Sequence, residues 1–264
     1  MAQTGQLTHA PAALPSFSQV TLLRIAIVVT ILVVWELTAR SGLLYRDVVP
    51  SLVVIGRALA DLLMERDFHW HLGVTAAEVG GGLMIGGLAG LVVGLALGAN
   101  RFLSDAFERF LYYLGPTPKI IFFPIMFMWF GVGPGSKIAM GTISCFFPIA
   151  LSVAAGMRQI DQVLIRVGRS FRANTWQMVT KIYLPAMRAP IINGVRLGLG
   201  VAIIGTLLAE TKLSNRGVGF LIINSYSTFN MPRMYSLLIV VFVLAIGANA
   251  LISRLGNLEA VKGR

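Results

Sequence analysis

Charge is scarce in this sequence. Asp, Glu, Lys and Arg make up 12% of 264 residues, about half the share of an ordinary soluble domain, which excludes a water-facing globular enzyme. Cysteine is scarcer still: the single Cys145 forms no internal disulfide and, beside Phe146, Phe147 and Ile149, is expected to be a small buried apolar side chain. Three histidines leave little for a metal site. Acids are outnumbered 11 to 22, giving a net charge of +11. That excess would suit a nucleic-acid binder, but 56% of the residues are hydrophobic, and a membrane protein accounts for both features.

A charge at mid-bilayer costs about 2.5 to 3.5 kcal/mol on insertion scales, so long uncharged intervals mark candidate spans. Val79 to Asn100, Ile138 to Met157 and Met234 to Ser253 are free of charge. Leu22 to Ala39 carries Arg24 and Glu36 near its ends, where long side chains reach the interface. Phe110 to Phe130 is interrupted by Pro116, Pro118, Lys119 and Pro124, and Ala189 to Ala209 contains Arg196, expected to reach for the interface. The expectation is an all-α polytopic membrane protein of about six transmembrane helices. Residues 1–20, without Lys or Arg, are expected to be a disordered tail and not a signal peptide. A first helix over 21–40, an outer connection over 41–74, a transmembrane core over 75–255 and a tail over 256–264 complete the division. Between Arg158 and Arg188 six positive residues face one acid, Asp161, which places that loop and both termini in the cytoplasm.

Gly82, Gly86, Gly90, Gly94 and Gly98 recur every four residues and line one helix face with hydrogen atoms, so another helix can approach closely. Packing within one subunit and contact between two subunits both use this geometry. In the loop 158–188, Ile160, Val163, Leu164, Val167 and Phe171 fall at helical spacing opposite polar residues. A turn at Ala173 and Asn174 follows, with Thr175 as expected N-cap, then a second stripe of Trp176, Val179 and Ile182 ending at Leu184 and Pro185. Two short amphipathic helices of this kind lie flat on lipid or dock a cytoplasmic partner.

Gly131 to Lys137 has the glycines of a phosphate-cradling loop, but Ser136 precedes Lys137, the reverse of the required order. ATP hydrolysis would therefore need another chain. His69 and His71, expected in a solvated loop, lack a third metal ligand. Lys119 and Glu210 are pathway candidates, because an ionisable residue within a span must face a cavity, a partner or the interface. Met126 and Trp129 are further candidates, packing being their simpler reading.

Trp176-Gln177 followed by Lys181-Ile182-Tyr183-Leu184-Pro185-Ala186 resembles the cytoplasmic EAA loop of ABC importer permeases. Pro116 to Lys119 through Trp129 to Gly133, together with Ala209-Glu210 and Gly217 to Ile222, resembles the nitrate/sulfonate/taurine branch of that family. The resemblance implies a multi-pass protein of the bacterial inner membrane and a coupling loop that includes Arg166, Gly168, Arg169, Arg172, Ala173, Trp176, Leu184 and Pro185. It implies a second permease subunit, forming a homodimer, two ATP-binding cassette ATPases that hold ATP and Mg, a solute-binding protein and surrounding lipid. No cofactor in this chain, no metal and no nucleic acid are implied. The solute would be a small anion; an ion-coupled secondary transporter is the alternative. The chain departs from the family where the loop reads Glu-Ala-Ala and then Gly: here stand Arg166, Val167, Gly168 and, four residues on, Arg172.

Overall fold

The structure is a computed structural model that describes residues 17–42 and 48–262. The tail expected over 1–20 lies outside the described residues as far as position 16, as do positions 263 and 264 of the tail expected over 256–264. Every regular element among the described residues is helical. Among the described residues five helices are long and apolar enough to cross a membrane, and a bent pair, Arg101–Leu114 with Lys119–Phe130, makes a sixth if the two are taken as one span.

The chain divides into two units, Met1–Gly56 and Arg57–Arg264. In the first, α1 (Phe17–Ser41) is a span whose apolar side chains are exposed. The chain after it is tied back by Glu36, which accepts the Leu52 N–H at 2.9 Å, and by Trp35, whose indole donates to the Pro50 carbonyl at 3.1 Å. That second hydrogen bond gives an amphipathic side chain the polar partner it needs at a span end.

The second unit is built around three long helices: α3 (Arg66–Ala99), α6 (Pro134–Arg158) and α10 (Arg188–Lys212). Its core follows α6, whose Cys145, Ile149, Val153 and Met157 are buried together with Leu199 and Ala202. Helix α2 (Leu52–Met64), numbered across the unit boundary, contributes Leu62 to a second cluster with Phe68, Val218, Leu221 and Leu237, which unites α3, α11 (Val218–Ser227) and α12 (Met231–Lys262).

The corner after α3 is made by one side chain. Asn100 ends α3 and caps α4 (Arg101–Leu114), accepting from the N–H groups of Phe102 and Leu103 at 3.0 and 3.4 Å. Asparagine is among the best N-caps because its short carbonyl reaches these orphan donors. At the other end of α4 the prolines act. Pro118 has no N–H for the Leu114 carbonyl, so the helix cannot continue. A 3-10 turn (Lys119–Phe122) leads into α5 (Phe123–Phe130), and the pair is bent by 93°. The expected span Phe110 to Phe130 is thus two helices meeting at nearly a right angle.

Helix α3 has 34 residues, about 50 Å at 1.5 Å per residue and longer than the roughly 30 Å hydrocarbon core. It begins thirteen residues before Val79. His69 and His71, expected in a solvated loop, therefore lie in its first two turns, and His71 is buried. Apolar periodicity alone missed this extension because the added turns carry polar residues inward.

Candidate functional site

Three arrangements have functional geometry: a cavity, a buried polar hub and the segment after α6. The cavity, about 610 Å³, lies between the α4–α5 corner and the facing sides of α6 and α10. Met140, Phe147 and Leu151 of α6 and Val201, Ile204 and Leu208 of α10 give it apolar walls. Lys119 is its one charged lining residue among those described. Its ammonium donates to the Leu114 carbonyl at 3.3 Å and to the Gly115 carbonyl, and lies 5.1 Å from the centre of the Phe147 ring. The charge thus adds a donor to carbonyls at the end of α4, where a cation is favoured by the helix dipole, while facing the cavity. Pro148 lies inside α6 and on the cavity wall, so the Ser144 carbonyl loses its helical donor there.

The other pathway candidates stand elsewhere. Met126 packs beside the cluster of Phe123, Met140 and Ala209, and Trp129 is exposed outside the cavity lining. Glu210 is buried in the hub. One carboxylate oxygen accepts from Thr75 at 2.7 Å, and the other accepts the Gly219 N–H at 2.6 Å. Thr75 in turn accepts the Val218 N–H at 2.8 Å, and His71 Nδ1 accepts the Gly217 N–H at 2.9 Å. These bonds fasten the start of α11 to α3 and α10. Gly217, at φ 97, occupies backbone space open to glycine, and a side chain there would collide with Glu210.

Two further hub residues went unremarked in the sequence as site residues. Lys137 is buried, and its ammonium donates to the carbonyls of Val132, Gly133 at 3.2 Å and Leu213 at 2.9 Å. A lysine spent on three carbonyls does not cradle a phosphate, which disposes of the loop resemblance at Gly131 to Lys137 on geometric grounds. Glu78 is 2% exposed and takes no hydrogen bond from an N–H or hydroxyl donor, but its carboxyl lies at hydrogen-bond distance from that of Glu210. The signal was present: His71, Thr75 and Glu78 continue the face of the glycine stripe up the same helix.

That stripe lies against α6. Gly82 faces Gly141, Gly86 faces Thr142 and Cys145, and Gly90 faces Phe146 and Ile149. Gly94 faces Ala150 and Val153, and Gly98 faces Ala154 and Met157. A Cβ at Gly90 would lie 2.9 Å from the Phe146 carbonyl oxygen, and at Gly94 2.6 Å from that of Ala150. Thr142 closes the seam with a hydrogen bond to the Gly82 carbonyl at 3.3 Å. A second row on α10, Gly194, Gly198 and Gly205, also meets α6, where Cys145 and Ile149 are shared with the first row.

After α6 come α7 (Gln162–Ser170), α8 (Thr175–Met178), a π-helical turn (Val179–Tyr183) and α9 (Leu184–Ala186). Helix α7 attaches through buried Gly168, whose Cα faces Ile182 and Met178, and through Ile165, which packs on the core. The apolar stripe of Val163, Leu164, Val167 and Phe171 faces outward, and Trp176 beyond it is 74% exposed. Arg166 and Arg169 are exposed on α7, while Leu184 and Pro185 carry the chain into α10. The cap of α8 is Asn174 and not Thr175: Asn174 and Gln177 form a reciprocal capping box at 2.8 and 3.0 Å. The turn before it is a Schellman motif, in which Ala173 N–H donates to Gly168 at 3.1 Å and Arg172 N–H to Arg169 at 2.9 Å. Its left-handed position, usually glycine, is Arg172 at φ 52.

Residues 82–258 match the family described as binding-protein-dependent transport system inner membrane component. The chain belongs to that family. It is a multi-pass inner-membrane permease subunit of an ABC transporter, not itself an enzyme, and works with a partner ATPase, a substrate-binding partner and a second permease. Similar proteins include SsuC of Bacillus subtilis, provisionally named for aliphatic sulfonates transport, 27% identical over 214 residues, 81% of this chain and 78% of the relative. The taurine transport permease TauC of Escherichia coli is 29% identical over 196 residues, covering 73% and 71%. The bicarbonate transport permease CmpB of Synechococcus elongatus is 26% identical over 235 residues, covering 86% and 84%. The permease shares its fold with a chain of the MetNI methionine ABC transporter in an inward-facing form, at TM-score 0.60 and 20% identity, over 74% of this chain and 98% of that one.

Proposed function

We propose that this permease carries a small anion inward, paired with a second copy of itself and driven by two ATPases that hold ATP and Mg. A binding protein delivers the solute at the outer face, and residues 158–188 and both termini lie in the cytoplasm. The observation that carries the reading is Lys119, a lone charge facing a cavity whose other lining residues are uncharged and mostly apolar. A positive charge beside broken helices replaces part of the hydration an anion loses on entry. The names of the sulfonate, taurine and bicarbonate relatives support an anionic solute.

The outward stripe on α7 and Trp176 is the ATPase contact in this reading. The chain enters the segment from α6 and leaves it into α10, and these two helices wall the cavity. Buried Met187, whose N–H donates to the Tyr183 carbonyl at 2.9 Å, ties the π-helical turn to α10. A displacement of the segment therefore reaches both walls, and alternating access needs a contact that differs between the two states.

Uptake in proteoliposomes with the cognate binding protein and ATP tests the proposal. Lys119→Met keeps the length and removes the charge, so uptake should fall while the complex still assembles. Lys119→Arg should fall less. Wild-type uptake by Lys119→Met removes the residue from the pathway, and loss of assembly makes its bonds to the α4 carbonyls its whole role. Accumulation without ATP would restore the secondary-transporter alternative.

A further inference from the structure

We infer that the cleft between the α3–α4 corner and α7 binds a phosphate group, supplied by the headgroup of an anionic lipid. The cleft, about 410 Å³, is the one cavity described whose lining brings several guanidinium groups together: Arg101 at the start of α4, Arg158 at the end of α6 and Arg169 on α7. Glu108 neutralises one of them, taking two hydrogen bonds from Arg158 at 2.6 and 2.7 Å. Neither the Arg101 nor the Arg169 guanidinium has a hydrogen-bond or ion-pair partner among the described residues. Two positive charges are therefore left over at one opening, with the hydroxyl of Tyr183 on the same lining. Guanidinium groups pair with phosphate oxygens through parallel N–H bonds.

The nearby carboxylates do not supply the missing anion: Asp105, one turn along α4 from Arg101, is within ion-pair distance of neither arginine. Asp161 accepts the Val163 N–H at 2.8 Å as the cap of α7, and Glu108 is held by Arg158 and by Ser104.

Two features favour a lipid over a free anion. The cleft has an apolar floor of Leu97 and Met157, both buried, from which a hydrated ion gains nothing. It also sits where two spans end, at Ala99 and Arg158, and Phe102 beside Arg101 is 77% exposed, as suits a side chain reaching into acyl chains next to a headgroup. Basic clefts between spanning helices at the cytoplasmic surface hold anionic headgroups in this way. A phosphate joining Arg101 to Arg169 braces α7 against the α3–α4 corner. The mechanical effect rests on the coupling reading above and the lipid source on the cytoplasmic orientation proposed there; the binding of phosphate itself rests on neither.

The test uses the whole transporter in nanodiscs. Wild type should retain phosphatidylglycerol through delipidation, read by native mass spectrometry, and Arg101→Gln/Arg169→Gln should lower that affinity by about 30-fold. Arg101→Lys/Arg169→Lys should keep most of it. In phosphatidylcholine nanodiscs, thermal stabilisation by added inorganic phosphate equal to that by phosphatidylglycerol would support the phosphate site but assign it to a soluble source. Equal retention of phosphatidylglycerol by wild type and the glutamine variant overturns the inference. So does loss of ATPase copurification with lipid retention unchanged, which gives the arginines to the ATPase. Arg101→Gln alone, outside the coupling segment, provides the same readout with a smaller drop if the double variant fails to fold.

Discussion

The α3–α6 seam and the α7–α9 segment both depend on a glycine at a close contact, yet they use it to opposite ends. Along the seam five glycines bring two backbones together, and hydrogen bonds such as Thr142 to Gly82 complete a surface that needs nothing more. In the segment one glycine contact, Gly168 against Met178 and Ile182, and the packing of Ile165 on the core hold α7 in place. The rest of its apolar surface is left outward, with Phe171 83% exposed, and it contains a left-handed Arg172 and a π-helical turn. The seam is finished within one chain. The segment leaves its apolar surface open, as the proposed ATPase contact requires, and π-helical turns recur at functional places.

The largest expected effect breaks the seam. Gly90→Leu drives a branched side chain into the Phe146 carbonyl and Ile149, neither of which can retreat inside a packed helix pair. Overpacking of this kind costs about 1 to 3 kcal/mol or more, and a backbone collision belongs at the upper end. Monodisperse protein after detergent extraction should be largely lost. A normal size-exclusion profile with normal uptake would show that α3 and α6 do not need this approach.

Trp176→Glu strikes the segment instead. Loss of a large aromatic anchor at the centre of a contact is worth about 2 kcal/mol or more, about 30-fold in affinity, and the carboxylate adds a desolvation cost. ATPase copurification should collapse while the permease itself extracts normally. If both variants fail in the same way, by loss of the folded subunit, the contrast between a finished seam and an open contact is wrong.

How much of this was legible follows the same division. Charge-free intervals and the four-residue glycine spacing located the spans and a close-packed face, because both patterns report directly on lipid and on backbone approach. The inner row of Gly194, Gly198 and Gly205 does not stand out in the sequence, since its spacing is broken by Val201 and Ala202. His71, Glu78 and Lys137 were missed for a different reason. Helix α3 continues past the apolar interval that marked it, and polar residues turned toward protein do not stand out from polar residues turned toward water. The direction of the α7 stripe is a tertiary fact: Val163 and Val167 repeat as a buried face would, but Gly168 and Ile165 turn that face outward.

The hub tests whether polar closure obeys the same logic as glycine closure. Glu210 uses both oxygens as acceptors, so Glu210→Gln must turn an amide NH2 toward the Gly219 N–H or the Thr75 hydroxyl. An unmet buried donor costs about 1 to 3 kcal/mol. Glu78 takes no bond from a backbone or hydroxyl donor and faces the Glu210 carboxyl, so an amide of the same shape offers Glu210 an N–H and relieves the cost of burying two carboxyl groups side by side. Glu78→Gln should leave thermal stability in detergent unchanged or raised, and Glu210→Gln should lower it. Equal destabilisation by both would mean that Glu78 is held by bonds as Glu210 is.

The smallest effect concerns Arg172. A non-glycine residue in the left-handed region costs about 1 to 2 kcal/mol, and glycine there gives back about 0.4 to 1 kcal/mol through its freer unfolded chain. Arg172→Gly should therefore stabilise the Schellman turn by roughly 0.5 to 1 kcal/mol, by subtraction of those two costs. Arg172→Ala removes the same charge without freeing the backbone, so it should change little, and the difference between the two variants isolates φ from electrostatics. Hydrogen exchange across residues 168–174 reads this directly, since that turn is held by the Ala173 to Gly168 and Arg172 to Arg169 bonds. Slower exchange in the glycine variant by about two- to fivefold is expected from that energy. Phe229, at φ 59 in a second Schellman turn where Asn230 N–H donates to Ser225 at 2.8 Å, supplies the comparison outside the segment. If Arg172→Gly also slows ATP turnover while Phe229→Gly does not, the strain at Arg172 belongs to coupling; if both stabilise and neither alters turnover, the strain is only local backbone cost, and the openness of the segment lies in its exposed apolar face alone.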